Sequence, residues 1–125
     1  MSELPITQPI HSVDDLASAS DFERKHTPHI TVTTIEGRTH ITVETGYYVE
    51  HPNEPGHFFD FIDILLNDVP IAHFHGAAGL VEPQVSIVID GEVGSTVTAL
   101  ASCNLHGVWK ASEKITPETS EIPDI

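Results

Sequence analysis

A chain of 125 residues that is 39% hydrophobic is long enough for one domain with a real core and too short for two. Five basic residues stand against 19 acidic ones, and the formal charge of -14 repels nucleic acid and anionic lipid, which argues against either as a partner. No apolar run approaches the ~20 residues of a membrane span, and MSELPITQPI lacks a basic stretch leading into an apolar one, so neither a span nor a secretory leader is expected.

Ser12-Val13-Asp14-Asp15-Leu16 predicts a short helix or turn, with Ser12 as cap and the acids at the positive end of the helix dipole. From Ile30 the pattern turns to β. Ile30, Val32 and Thr34 alternate with polar residues, Glu36-Gly37 marks a turn, and Thr39 to Thr45 alternates again around Ile41 and Val43. His51 to His57 carries Pro52, Pro55 and Gly56 and reads as a loop. Phe58 to Leu66 is apolar enough for a central strand, and Asn67-Asp68 turns it into Val69 to His75. Gln84 to Ile89 is a further strand with Val85, Ile87 and Ile89 on one face, closed by Asp90-Gly91, and Thr96 to Ser102 is the last clear one. From Glu113 a polar tail with two prolines is expected on the surface. Six or seven short strands separated by turn signals predict an all-β, antiparallel sandwich in one domain. That class hosts many activities and selects none.

Nine histidines are the unusual entry in the composition, since imidazole is the commonest ligand for borderline metals. The single cysteine, Cys103, excludes an intramolecular disulfide and suits a reducing cytosol. A lone cysteine is more often a small buried hydrophobe than a reactive group. Its neighbours change that reading. In Cys103-Asn104-Leu105-His106-Gly107 one loop can offer a thiolate and an imidazole to the same ion, with the glycine permitting a tight turn. His51 and His57 flank a proline-rich loop able to wrap a metal, and in Lys25-His26-Thr27-Pro28 the proline holds the backbone before it extended.

Together these segments resemble the superoxide reductase domain of the neelaredoxin type, also found as the catalytic half of desulfoferrodoxin. The family pattern is a Lys-His pair followed by x-Pro, then His-Pro with a second histidine six positions after the first, then C-N-x-H-G. Lys25-His26-Thr27-Pro28, His51-Pro52 with His57, and Cys103-Asn104-Leu105-His106-Gly107 match in that order. The resemblance spans about 23–111 of a single 1–125 domain and leaves the 113–125 tail outside. It implies a seven-stranded, immunoglobulin-like antiparallel sandwich with a short irregular or helical N-terminal segment. It also implies one iron, Fe2+/Fe3+, per chain, with His26, His51, His57 and His106 equatorial and Cys103 axial. Lys25 corresponds to the lysine that guides superoxide. The implied activity is one-electron reduction of superoxide to hydrogen peroxide, with a rubredoxin-like donor, a dimer or tetramer of identical chains, and a cytoplasmic location.

One departure concerns the residue before the lysine, where the family places a glutamate that can ligate the oxidised iron. Here it is Arg24, with Glu23 one position upstream. The expectation is an oxidised site that is open or water-ligated, with Arg24 and Lys25 placing two positive charges at its mouth. Asn53 stands where methionine is common. His73 and His75 share a strand face and could bind a second metal, although a wet strand face is the preferred reading. His11, His29 and His40 are expected at the surface, Trp109 as a core or rim aromatic, and Lys110 as a further charge to weigh near the iron. The competing functions are a metal-binding domain without superoxide chemistry, a dismutase-type activity at the same iron, and a metal-free interaction domain. The last does not explain the cysteine and histidine pattern.

Overall fold

Apolar residues at every second position make this chain a set of strands, and the computed structural model describes them over residues 9–117. In chain order the elements are β1 (Ile10–Ser12), a 3₁₀ turn (Leu16–Ser18), α1 (Asp21–His26), β2 (His29–Ile35), β3 (Arg38–Glu44), β4 (Phe59–Leu66), β5 (Val69–His75), β6 (Gln84–Ile89), β7 (Thr96–Cys103) and β8 (Gly107–Lys114). They form a five-stranded sheet in the order β1-β8-β7-β4-β5 and a three-stranded sheet in the order β2-β3-β6. Every pairing is antiparallel except the parallel one between β1 and β8. No helix among the described residues is long and apolar enough to cross a membrane.

Ile30, Ile41 and Val43 of the smaller sheet meet Ile62, Ile64, Val97, Ala99, Ala101 and Cys103 of the larger one in a single buried cluster. Each large aliphatic side chain withdrawn there contributes about 1.5–3 kcal/mol. Cys103 thus ends a core strand, so its sulfur sits on rigid backbone. Asn67 and Asp68 have φ of 48 and 68, the left-handed pair that a tight hairpin between β4 and β5 requires. The result is the immunoglobulin-like antiparallel sandwich expected, with the three-residue β1 added to seven longer strands.

The N-terminal segment differs from expectation. Ser12 lies in β1, and Asp15 caps the 3₁₀ turn by accepting from Ala17 N at 3.0 Å. The helix comes later, where Ser20 and Glu23 form a capping box. The surface tail also begins later than Glu113, because β8 runs to Lys114 and Ile115 is only 2% exposed. The rest of that tail, 118–125, and residues 1–8 of the ten on which the leader was judged lie outside the described residues.

Candidate metal centre

Three local structures bring five donors to one end of the sandwich. The first is α1, which the capping box starts and which Pro28 ends by holding Thr27 extended at φ -76, ψ 123. His26 occupies its last turn and is 0% exposed. The second is the loop between β3 and β4, carrying His51 and His57. Gly46 turns it at φ +67, where a Cβ would approach His51 N to 3.1 Å, so only glycine lets the loop fold back this closely. The third is the turn from β7 to β8, with Cys103 and His106 on either side and Gly107 at φ 86. Asn104 ties the last two together. Its backbone N–H donates to Phe58 O at 3.0 Å, its Oδ1 accepts from Phe58 N at 2.8 Å, and its Nδ2 donates to Gly56 O at 3.1 Å.

The imidazoles form a closed ring around the thiol. Ring centroids are 4.9 Å apart for His26 and His51, 4.6 Å for His51 and His57, 5.1 Å for His57 and His106, and 4.9 Å for His106 and His26. Each neighbour stands edge-on to the next, and His26 and His57 face each other across the ring at 6.4 Å. Donor atoms of His26, His57, Cys103 and His106 all lie within 4.8 Å of one another. His51 stands just outside that tight group, with its Nε2 3.5 Å from Cys103 Sγ. His106 Nδ1 is 3.7 Å from the same sulfur and 3.2 Å from His26 Nε2.

Outer partners set which nitrogen is free. His26 Nδ1 donates to Phe22 O at 2.7 Å and His51 Nδ1 to Pro52 O at 2.7 Å, leaving both Nε2 lone pairs directed at the ring's interior. His57 Nε2 is buried with no hydrogen-bond partner among the described residues. A buried polar atom left alone is costly, and a cation would satisfy it. Imidazole nitrogens around a sulfur suit a borderline transition metal and not the oxygen-seeking Ca2+ or Mg2+.

Electrostatics favour the same occupant. Burial pushes His51 down to about 4, against the opposing bond to the Pro52 carbonyl and with smaller lowering from His26, His57 and Lys25. Burial likewise lowers His26 and His57, and it raises the Cys103 thiol. Without metal these three histidines are therefore neutral ligands in waiting, beside a protonated thiol.

Lys25 is half-buried and lines a cleft of about 590 Å³ together with His51, Pro52, Asn53 and the carboxylates of Glu50, Glu54 and Glu82. Arg24 does not join it there. Its Nε and Nη2 donate to the carbonyls of Leu16 and Ala17 at 2.8 Å each, and Asp21 lies 3.8 Å away. The second positive charge expected at the mouth is thus tied to the 3₁₀ turn, because consecutive helical residues point about 100° apart. Glu23 is also committed, accepting from Ser20 N at 3.0 Å in the capping box. Lys110 is exposed and lines a separate cleft beside Thr27 and Tyr48, away from that of Lys25.

Trp109 does more than fill space. It stacks on His26 at 5.1 Å, and its indole N–H donates to His106 O at 3.0 Å, so it positions two ring members. Phe22, 46% exposed, packs against His26 at 4.6 Å and His106 at 4.9 Å, a role its sequence context did not signal. His11 is exposed as expected, whereas His29 and His40 are half-buried and His29 stacks on Tyr47 at 3.7 Å.

Comparison with known proteins agrees with this architecture. A superoxide reductase from Nanoarchaeum equitans is 30% identical, with a TM-score of 0.68 over 73% of this chain and 93% of its own. A variant form of the superoxide reductase (neelaredoxin) from Ignicoccus hospitalis is 25% identical, with a TM-score of 0.72 over 86% of this chain and 93% of its own. The desulfoferrodoxin of Clostridium acetobutylicum is 31% identical over 100 residues, 71% of this chain and 62% of that protein. The family model for desulfoferrodoxin matches residues 18–112, a span that takes in α1, the histidine loop, the Cys103 turn and most of β8. On that match, with the sandwich and the histidine–cysteine cluster in place, the chain belongs to the desulfoferrodoxin family.

Proposed function

We propose that this protein is a superoxide reductase in which His26, His51, His57, His106 and Cys103 hold one iron per chain. The observation that carries the reading is the closed ring of four imidazoles around a buried thiol, with His57 Nε2 left without a partner among the described residues. Five convergent donors suit such an ion better than the closed, four-coordinate arrangement of structural zinc. When bound there, iron would supply an Fe2+/Fe3+ couple by which superoxide takes up one electron and two protons to become hydrogen peroxide. A rubredoxin-like protein is the proposed donor of that electron, the cytoplasm the proposed location, and a dimer or tetramer the proposed assembly.

The chain's own residues prepare the site for a small anion. Neutral imidazoles leave a bound cation's charge largely uncompensated, and Cys103 must release its proton to become a ligand. Lys25 adds an ammonium at the cleft that reaches His51. Glu50, Glu54 and Glu82 line the same cleft, so within a Debye length of about 8 Å the ammonium is the one attractive group for an anion among three repulsive ones, and its pull acts at close range. Glu23 remains in its capping box, so we read the oxidised site as open or water-ligated. The test is product analysis with a supplied reductant: hydrogen peroxide formed without oxygen marks a reductase, whereas oxygen evolved alongside it marks a dismutase and overturns the proposal.

Lys25→Ala is expected to lower kcat/KM for superoxide about tenfold and to flatten its dependence on ionic strength, with Lys25→Arg restoring both. Pulse radiolysis across a salt series checks this. An unchanged rate and salt slope would remove Lys25 from the substrate path.

A further inference from the structure

We propose a second metal site on the outer face of the five-stranded sheet, made by His73 and His75 of β5, oriented by Asp63 of β4, and suited to a borderline divalent cation such as Zn2+. Strand periodicity places the pair. Ala72 and Phe74 pack on the inter-sheet core, so His73 and His75 point the other way and are exposed. Residues two apart along a strand are separated by about 6.6 Å, within reach for two imidazoles to share one ion. Among the described residues β5 is the last strand of its sheet, so no further described strand flanks the pair.

What the sequence could not reveal is the group behind them. Register sets Asp63 opposite His73 and Phe61 opposite His75. Asp63 is only 7% exposed, and its Oδ1 accepts directly from His73 Nδ1. A buried carboxylate needs such a partner, and the bond has a second effect. It fixes the tautomer with the proton on Nδ1, which leaves the Nε2 lone pair free for an ion, as in carboxylate–histidine–metal arrangements. The Phe61 ring, 5.6 Å from that of His73, limits its rotation. A histidine that merely decorates a wet strand needs neither a buried carboxylate nor a packed ring behind it. Two imidazoles suit Zn2+ and Cu2+ above harder cations, with the remaining positions taken by water. The site shares no residue with the His26–Cys103 cluster, and the formal charge of -14 raises the local concentration of cations near the exposed pair.

The experiment is calorimetric titration of the full-length, iron-loaded protein with Zn2+, read together with its visible spectrum. The wild type is expected to take up one Zn2+ per chain with the iron spectrum unchanged. His73→Ala and His75→Ala abolish that uptake, and Asp63→Asn weakens it by about 10–100-fold. His75 is exposed, so its variant tests the site without endangering the fold should Asp63→Asn disturb it. No uptake by the wild type, uptake that persists in His75→Ala, or uptake matched by loss of iron each overturns the proposal.

Discussion

Replacing His26 with alanine is expected to abolish metal binding and to lower the stability of the metal-free protein by about 3 kcal/mol. The side chain is 0% exposed, stacks on Trp109 at 5.1 Å, meets Phe22 at 4.6 Å and donates to Phe22 O at 2.7 Å. Truncation leaves a cavity between two aromatic rings and removes that bond. The loss is therefore structural as well as chemical. His57 provides the contrast: it is only half-buried, and its Nε2 has no partner to lose among the described residues. His57→Ala should lose the metal while changing metal-free stability by less than about 1 kcal/mol. Guanidinium unfolding of the chelator-treated wild type and both variants, with iron content measured before chelation, checks the pair. Equal destabilisation in both, or none in His26→Ala, would contradict this account of the ring.

Acid should destabilise the metal-free protein over a defined window. Burial holds His51 at about 4 in the folded chain, against 6.5 when unfolded, and lowers His26 and His57 as well. Between those values the unfolded state binds more protons than the folded one. Stability is then fully present above pH 6.5 and is lost as pH falls toward about 4, with His51 alone contributing about 3 kcal/mol. Cys103 has the opposite sign. Burial raises its pKa above 9.0, so its contribution is present below that value and is lost as pH rises through the folded one. A bound metal replaces the thiol proton, so metal affinity should rise with pH, and acid should release the ion as the imidazoles take up protons. Urea midpoints of the metal-free protein, read from pH 7 down to pH 4.5, should fall steadily. A flat profile would mean that the imidazoles are not buried as neutral groups.

Most of the sandwich was legible because its strands alternate openly. Ile41 and Val43, or Val85, Ile87 and Ile89, announce an inner face by period alone, and Asn67-Asp68 announces the hairpin. β8 was not legible, since Val108 and Trp109 are consecutive buried residues and its last three residues are polar and exposed. Its pairing with β7 holds it in place, and a register of that kind has no local signature. The six-residue α1 is too short for helical periodicity to speak, although Ser20 and Glu23 carry a readable capping box. The five side chains that cluster were marked by the three short motifs that carry the family resemblance. Their supports were not: Asn104 fastening one loop to another, Trp109 reaching the His106 carbonyl, and Arg24 turning toward Leu16 are all tertiary events. The Asp63–His73 pair is of the same kind, joining residues that only the β4–β5 register brings face to face.

The most direct test of the central claim is metal content together with the visible spectrum of the oxidised protein, for wild type and Cys103→Ser. The account predicts one iron per chain and a thiolate-to-iron charge-transfer band in the red that vanishes in the variant. Zinc in place of iron, or no metal retained after reconstitution with ferrous iron, would contradict it and leave the histidine–cysteine ring without its proposed chemistry.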